Sequence, residues 1–282
     1  MKLTFDYYHN LEQVELRLCN PDGRELFILP GKNRNLKLRF NDLSELVFDV
    51  DSTITLSDGN VVNLEAYDYI QTRRLVYATN IGWFQISSAD EHDNGVVKYK
   101  SVTAESYQSV LKNKGFISEE RVYCFYNPSD PYDNNYDSLN DGSTPSVLGQ
   151  WGKQLGIKQD LTQGLKDPDV PYDDWTVTYI HSSLIYGGEE SKCRTFKEAT
   201  TYGYDWIIND VEEAFEVVVL FDFMYKTIRV MIPSEVAERA NVIYSFSNFM
   251  KNIDINENDV IKIKELNKYL SNGWKIGMGK RS

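Results

Sequence analysis

The sequence predicts a β-rich α+β protein, and three observations carry that expectation. Apolar and polar residues alternate over many short runs in the first hundred positions, with tight-turn sequences between them. The apolar spacing then changes to three and four residues after Thr103, and again after Thr195. The chain of 282 residues is 41% apolar, 13% aromatic and 26% charged, enough to fill a core and to argue against disorder. That length suits one large domain or two to three ordinary ones.

The elements follow in order. Val14, Leu16 and Leu18 alternate, Asn20-Pro21-Asp22-Gly23 turns the chain, and residues 25–29 return until Pro30-Gly31 breaks the run. Leu36, Leu38 and Phe40 alternate, as do Leu46, Phe48 and Val50, so each run buries one face. Ser57-Asp58-Gly59 and Asp93-Asn94-Gly95 are hairpin-type turns. Residues 75–79 and 83–87 read as paired strands around Asn80-Ile81-Gly82. Short strands at regular spacing suggest a barrel or sandwich. Thr103 then reads as the N-cap of a helix carrying Ala104, Tyr107, Val110 and Leu111, closed by Lys112, Lys114 and Gly115.

Residues 127–145 form an acidic, turn-rich loop longer than most connections. Residues 146–156 are expected to be helical, and Trp175, Val177 and Tyr179 alternate as a strand. The most informative stretch runs from Thr195 to Val230. Thr195 with Glu198, and Asp210 with Glu213, offer two capping boxes. Ala199, Gly203, Trp206 and Ile207, then Val211, Ala214 and Phe215, supply helical apolar spacing. Residues 217–221, dense in β-branched and aromatic side chains, read as a buried strand and open a hairpin that returns through Lys226-Thr227-Ile228. A short helix over 234–240 and an apolar segment over 243–249 complete the reading.

Charge and motif content exclude several functions. The net charge of −12 argues against a sequence-independent grip on DNA, which needs clustered Lys and Arg. Cys19, Cys124 and Cys193 lie far apart without CxxC spacing, so they read as reduced thiols of a protein made in a cytosol. His9, His92 and His181 have no second histidine at metal-ligand spacing, and no nucleophile elbow or phosphate-binding loop occurs. The glycines between Gly273 and Gly279 have no helix behind them. No run approaches a transmembrane span, and the N-terminus lacks a signal-peptide core, so neither membrane insertion nor signal-directed secretion is expected.

Three weaker chemistries stay open. Asp130, Asp133, Asp137 and Asp141 with Asn134, Asn135 and Asn140 could offer oxygen ligands to calcium, though the EF-hand pattern fails. Asp173-Asp174 before Trp175 could supply a carboxylate pair for glycoside cleavage, or equally a turn. The 19 tyrosines suit a sugar-binding face or an oligomer interface. No cofactor, metal or catalytic residue is assigned.

Several segments resemble the tail-tip or baseplate-hub proteins of long-tailed phages, the phage minor structural protein N-terminal region. Asn41-Asp42-Leu43-Ser44-Glu45-Leu46-Val47-Phe48-Asp49-Val50 resembles the family's "FND.SEL.F.V" strand. Tyr67-Asp68-Tyr69-Ile70, then Arg74-Leu75-Val76 and Gly82-Trp83-Phe84-Gln85-Ile86, resemble its "YD.I…LV…GWF.I" block. Lys100-Ser101-Val102-Thr103-Ala104-Glu105-Ser106-Tyr107 resembles "K.VTA.S", the strand leading into a helix. Residues 175–180, 194–196 and 210–230 resemble the later block. The likeness spans roughly residues 12–250 and is poorly matched beyond Asn252.

The resemblance implies a structural role. In such proteins three copies, each with two barrel-like β domains and an inserted α+β region, form a pseudo-sixfold ring at the end of the tail tube. The implied partners are further copies of the chain as a homotrimer, the distal tail and tail tube proteins, and fibre or receptor-binding proteins. The implied location is the tail tip of the virion. An acidic ring lumen would repel DNA phosphates and let DNA slide. The implied division is a first barrel-like domain over 1–103, an α+β region over 104–232, and a segment over 233–282 that completes or abuts a second barrel. Because the chain ends at Ser282, no peptidase, lysozyme-like or fibre module is expected, and no catalysis. The alternative is a carbohydrate- or receptor-binding phage module that uses Tyr- and Trp-rich loops such as 126–136.

Overall fold

Period-two alternation in the first hundred residues becomes one large antiparallel sheet. The computed structural model describes residues 14–39, 42–127, 145–185 and 193–239. The first strands are β1 (Leu16–Cys19), β2 (Glu25–Leu29), β3 (Lys32–Lys37) and β4 (Glu45–Asp51). A hairpin of β5 (Thr53–Thr55) and β6 (Val61–Asn63) and a helical turn α1 (Ala66–Tyr69) precede β7 (Leu75–Ala78), β8 (Gly82–Asp93) and β9 (Lys98–Ser106). Seven of these strands join in the order β2-β1-β7-β8-β9-β4-β3. The anticipated turns join β1 to β2, β7 to β8, and β8 to β9. Leu46, Phe48 and Val50 of β4 point inward with Leu16, Leu18, Val76, Phe84, Val102 and Ala104. Each fully buried side chain of this size contributes roughly 1.5–3 kcal/mol.

The sheet curls. Its two edge strands, β2 and β3, are separated in sequence by only Pro30 and Gly31. Leu29 and Lys32 can therefore lie at most about 11 Å apart. A Cβ on Gly31 would meet Leu16 Cδ1 at 2.9 Å and Phe48 Cδ2 at 3.3 Å, so this link presses on strands from both halves of the sheet. Among the described residues no ladder joins β2 to β3, and the sheet remains open.

Two predicted helices are corrected. The helix expected from Thr103 begins later: residues 103–106 belong to β9, held between β4 and β8 by ladders on both sides. Only α2 (Ser109–Lys112) is helical, and Gly115 opens the next strand rather than closing the helix. The helix expected from the Thr195–Glu198 capping box is strand. Here β10 (Gly115–Ser118) and β11 (Arg121–Cys124) pair antiparallel with β15 (Ala199–Tyr202) and β14 (Cys193–Phe196). The register offset is the same in both pairs, so they form one ribbon broken only at Glu119-Glu120 and Lys197-Glu198. Distant pairing and Thr-rich, aromatic composition outweigh the local cap signal.

The remaining elements follow the expectations more closely. Ser146 accepts the Gly149 amide at 2.9 Å and starts α3 (Val147–Gln150), which continues as a π-helical turn over Trp151–Leu155. A mixed sheet has the order β12-β13-β17-β16, from β12 (Lys158–Gln159), β13 (Thr176–Ile180), β16 (Val218–Asp222) and β17 (Thr227–Met231). Between β15 and β16, α4 (Gly203–Asp205), a π-helical stretch over Trp206–Val211 and α5 (Glu212–Phe215) run on without a break. Asp210 therefore lies inside the helical run and does not cap it. Buried Glu212 accepts the Val219 amide at 2.7 Å. The last described element is α6 (Pro233–Arg239), which matches the predicted short helix. A second core cluster gathers Phe125, Trp151, Trp206, Phe215, Val219 and Ile228 with Cys19 and Leu75 from the large sheet. His9, residues 128–144 of the acidic loop, residues 243–249 and the glycines 273–279 lie outside the described residues.

Candidate functional site

The carboxylates singled out in the sequence do not converge on a reaction centre. Asp174 pairs with Lys158 at 2.9 Å, both more than half exposed. The Asp173 backbone carbonyl accepts from Lys226 Nζ at 2.9 Å. His92 stacks on Tyr99 at 5.0 Å near the β8–β9 tip. His181 sits at the end of β13 beside an open hollow of about 410 Å³ lined by Tyr179, Ser182, Ser234 and Glu235. Its Nδ1 accepts from the Ser183 amide at 3.3 Å and lies 2.8 Å from the Ser183 hydroxyl. Cys19 and Cys124 are buried and Cys193 is partly exposed; none of the three forms a disulfide. Among the described residues no group of three metal-ligating side chains occurs, and no helix is long and apolar enough to cross a membrane.

The junction between the two cores holds an arrangement that sequence reasoning missed. Trp83 at the start of β8 donates its amide to the Phe223 carbonyl at 3.0 Å, and Tyr107 donates to the Trp83 carbonyl at 3.0 Å. The turn between β16 and β17 thus docks on the large sheet. Lys226 in that turn is buried, with Nζ 4.7 Å from the Trp83 ring centre and 4.7 Å from that of Tyr107. Burial pushes the Lys226 ammonium below its ordinary value, and Asp174, then Asp173, oppose that shift. Burial pushes the neighbouring Cys19 thiol up to about 11, with Glu25 adding to the shift. The Lys226 side chain thus packs the β16–β17 turn against the rings of Trp83 and Tyr107. The one available signal was a lysine set between two apolar runs, in Phe223-Met224-Tyr225-Lys226-Thr227-Ile228.

The outer surface separates guarded edges from open ones. β3 carries Lys32, Arg34 and Lys37, and Lys32 pairs with Asp51. β2 carries Glu25, paired with Arg17 at 2.9 Å. Charges on edge strands block pairing with other chains. The outer side of β10 is covered by Gln154, whose side-chain amide bonds both the amide (2.9 Å) and the carbonyl (3.0 Å) of Ile117. β15 carries no charge and pairs only with β10 among the described residues. The β5–β6 hairpin pairs only with itself, and its Val61 is 64% exposed. Ile117 and Tyr202 are 59% and 55% exposed.

No family profile matches the chain, and no curated protein matches it. Solved structures similar to it include prophage tail protein gp18 from Listeria monocytogenes EGD-e, with 10% identity and a TM-score of 0.45 over 85% of this chain and 56% of that one. Another is the 43 kDa tail protein of prophage MuSo2 from Shewanella oneidensis, with 9% identity and a TM-score of 0.43 over 78% and 54%. A third is a Francisella PdpA-VgrG complex, with 10% identity and a TM-score of 0.38 over 83% of this chain and 30% of that one. The chain thus spans little more than half of the first two and less than a third of the last.

Proposed function

We propose that the chain is a structural subunit of a phage or prophage tail, forming a ring as a homotrimeric hub at the tail tip. One observation carries the reading. The segments that resemble the tail-hub family lie far apart in sequence, yet they supply four neighbouring strands, β7-β8-β9-β4, of the large sheet. The hub-like wording thus falls on the framework of the protein. The curled sheet supports a barrel-like first domain over 1–103, with the α+β region over 104–232 docked on it through Trp83 and Lys226. A second barrel, completed by residues 233–282, belongs to the same proposal.

The ring would join the tail tube and distal tail proteins on one side and fibre or receptor-binding proteins on the other. It would work without catalysis or cofactor. Its net charge of −12 suits a conduit that does not hold DNA. Sedimentation equilibrium at micromolar concentration tests the reading. The expected mass is three times that of the chain. A chain that remains monomeric and binds glycans would favour the carbohydrate- or receptor-binding module.

A further inference from the structure

We propose that β6 of one copy adds as an antiparallel strand to the open edge of β15 in the next copy, so that the chain assembles head to tail. The proposal rests on the ring reading above and names the surface that makes the ring. Hydrogen bonding within each ribbon shows which backbone groups face outward. Gly203 donates to Lys114, and Gln154 occupies both backbone groups of Ile117 from the other side. Ile117 and Thr200 are therefore a pair without mutual hydrogen bonds, so Thr200 turns its N–H and C=O to the open side and Tyr202 its N–H, while the Tyr202 carbonyl stands at the N-cap of the helical run from Gly203. In the hairpin, Leu56 donates to Asn60 and Leu64 to Ser52. By the same alternation, Val61 and Asn63 turn theirs outward from β6. The β6 edge thus offers two residues spaced by two, and the β15 edge offers both groups of Thr200 and the amide of Tyr202. Val61 opposite Tyr202 and Asn63 opposite Thr200 brings these groups together.

The uncharged edges are compatible with a second copy of this chain as the occupant. Two copies with a net charge of −12 each repel unless they meet through uncharged surface. Residues 53–63 carry only Asp58, whose carboxylate is held by Asn60 at the turn, and β15 carries no charge. The edge of β3 carries Lys32, Arg34 and Lys37, and that of β2 begins at Glu25. The hairpin also gains most from a third strand, because an isolated two-stranded ribbon is marginal in water. Because hairpin and β15 are different surfaces, their contact is heterologous, the kind that makes a ring where the rotation closes.

The register puts Val62 and Thr201 side by side as a pair without mutual hydrogen bonds, the geometry that suits a disulfide. Full-length Val62→Cys and Thr201→Cys chains, each also carrying Cys193→Ser, are co-expressed with different tags and mildly oxidised. A disulfide between the two differently tagged chains is expected, with none in either variant alone. An oligomer by sedimentation without that link would overturn this contact and leave the ring reading standing; a monomer at every concentration would overturn both. A Val62→Cys homodimer would mean twofold hairpin-to-hairpin pairing and would also overturn it. Val61→Lys and Thr200→Lys, with unchanged circular dichroism, are each expected to shift the oligomer to monomer at least tenfold in concentration. An unshifted equilibrium would count against the proposal.

Discussion

Replacing Gly82 with alanine strains the clasp between the two cores, and its cost can be worked out atom by atom. Gly82 has φ +139°, a region essentially limited to glycine, so an L residue there costs about 1–3 kcal/mol. The added Cβ would lie 2.6 Å from Phe223 Cδ2, 2.9 Å from Met224 N and 3.0 Å from Met224 Cα. The ring can rotate away, but the Met224 backbone cannot retreat without stretching the 3.0 Å bond from Trp83 to Phe223. Losing that bond costs about 1 kcal/mol, and disturbing the edge contact of Phe223 with Phe84 at 5.4 Å costs about 0.5–1.5 more. The total is roughly 2.5–5.5 kcal/mol, a large share of the 5–15 kcal/mol typical of a folded protein. Gly59→Ala is the control. Gly59 has φ +85° with nothing within 4 Å of an added Cβ, so only about 1–2 kcal/mol of left-handed strain applies. Urea unfolding followed by tryptophan fluorescence compares the two variants. A Gly82→Ala midpoint equal to that of Gly59→Ala would refute the claim that this close approach joins the cores.

Three further outcomes are expected. Lys226 holds its proton less tightly folded than unfolded, so its contribution to stability is full above its ordinary 10.5 and is lost as pH falls through the lowered folded value. The raised Cys19 thiol acts oppositely, with its contribution full below 9.0 and lost as pH rises through about 11. The Lys226 effect is therefore read as a difference: Lys226→Met should gain on the wild type at pH 8 relative to pH 10.5, by thermal melting. A native-state thiol assay should label Cys193 and leave Cys19 and Cys124 unreactive until denaturant is added. Asp174→Asn removes an exposed ion pair with Lys158 and a weak attraction for the Lys226 ammonium, so the unfolding free energy from urea titration should change by about 1 kcal/mol or less.

The hairpins were legible because their turn chemistry is local: Asn20 to Gly23, Ser57 to Gly59 and Asp93 to Gly95 each carry their own backbone instructions. Residues 195–202 were misread because their strand partners, residues 115–124, lie far away in sequence, and no local rule reports that pairing. Thr103 looked like a cap only until β4 and β8 claimed it from both sides. The junction was invisible for a similar reason. Lys226 is caged by rings at positions 83 and 107, and a buried cation leaves no periodic trace. Asp173 and Asp174 drew attention by residue type, whereas one of them acts through its backbone and the other through an exposed ion pair.

Negative-stain electron microscopy of the purified chain tests the central claim most directly. Class averages should show threefold rings with a central opening and a pseudo-sixfold outline. Particles without rotational symmetry at every concentration tried would contradict it.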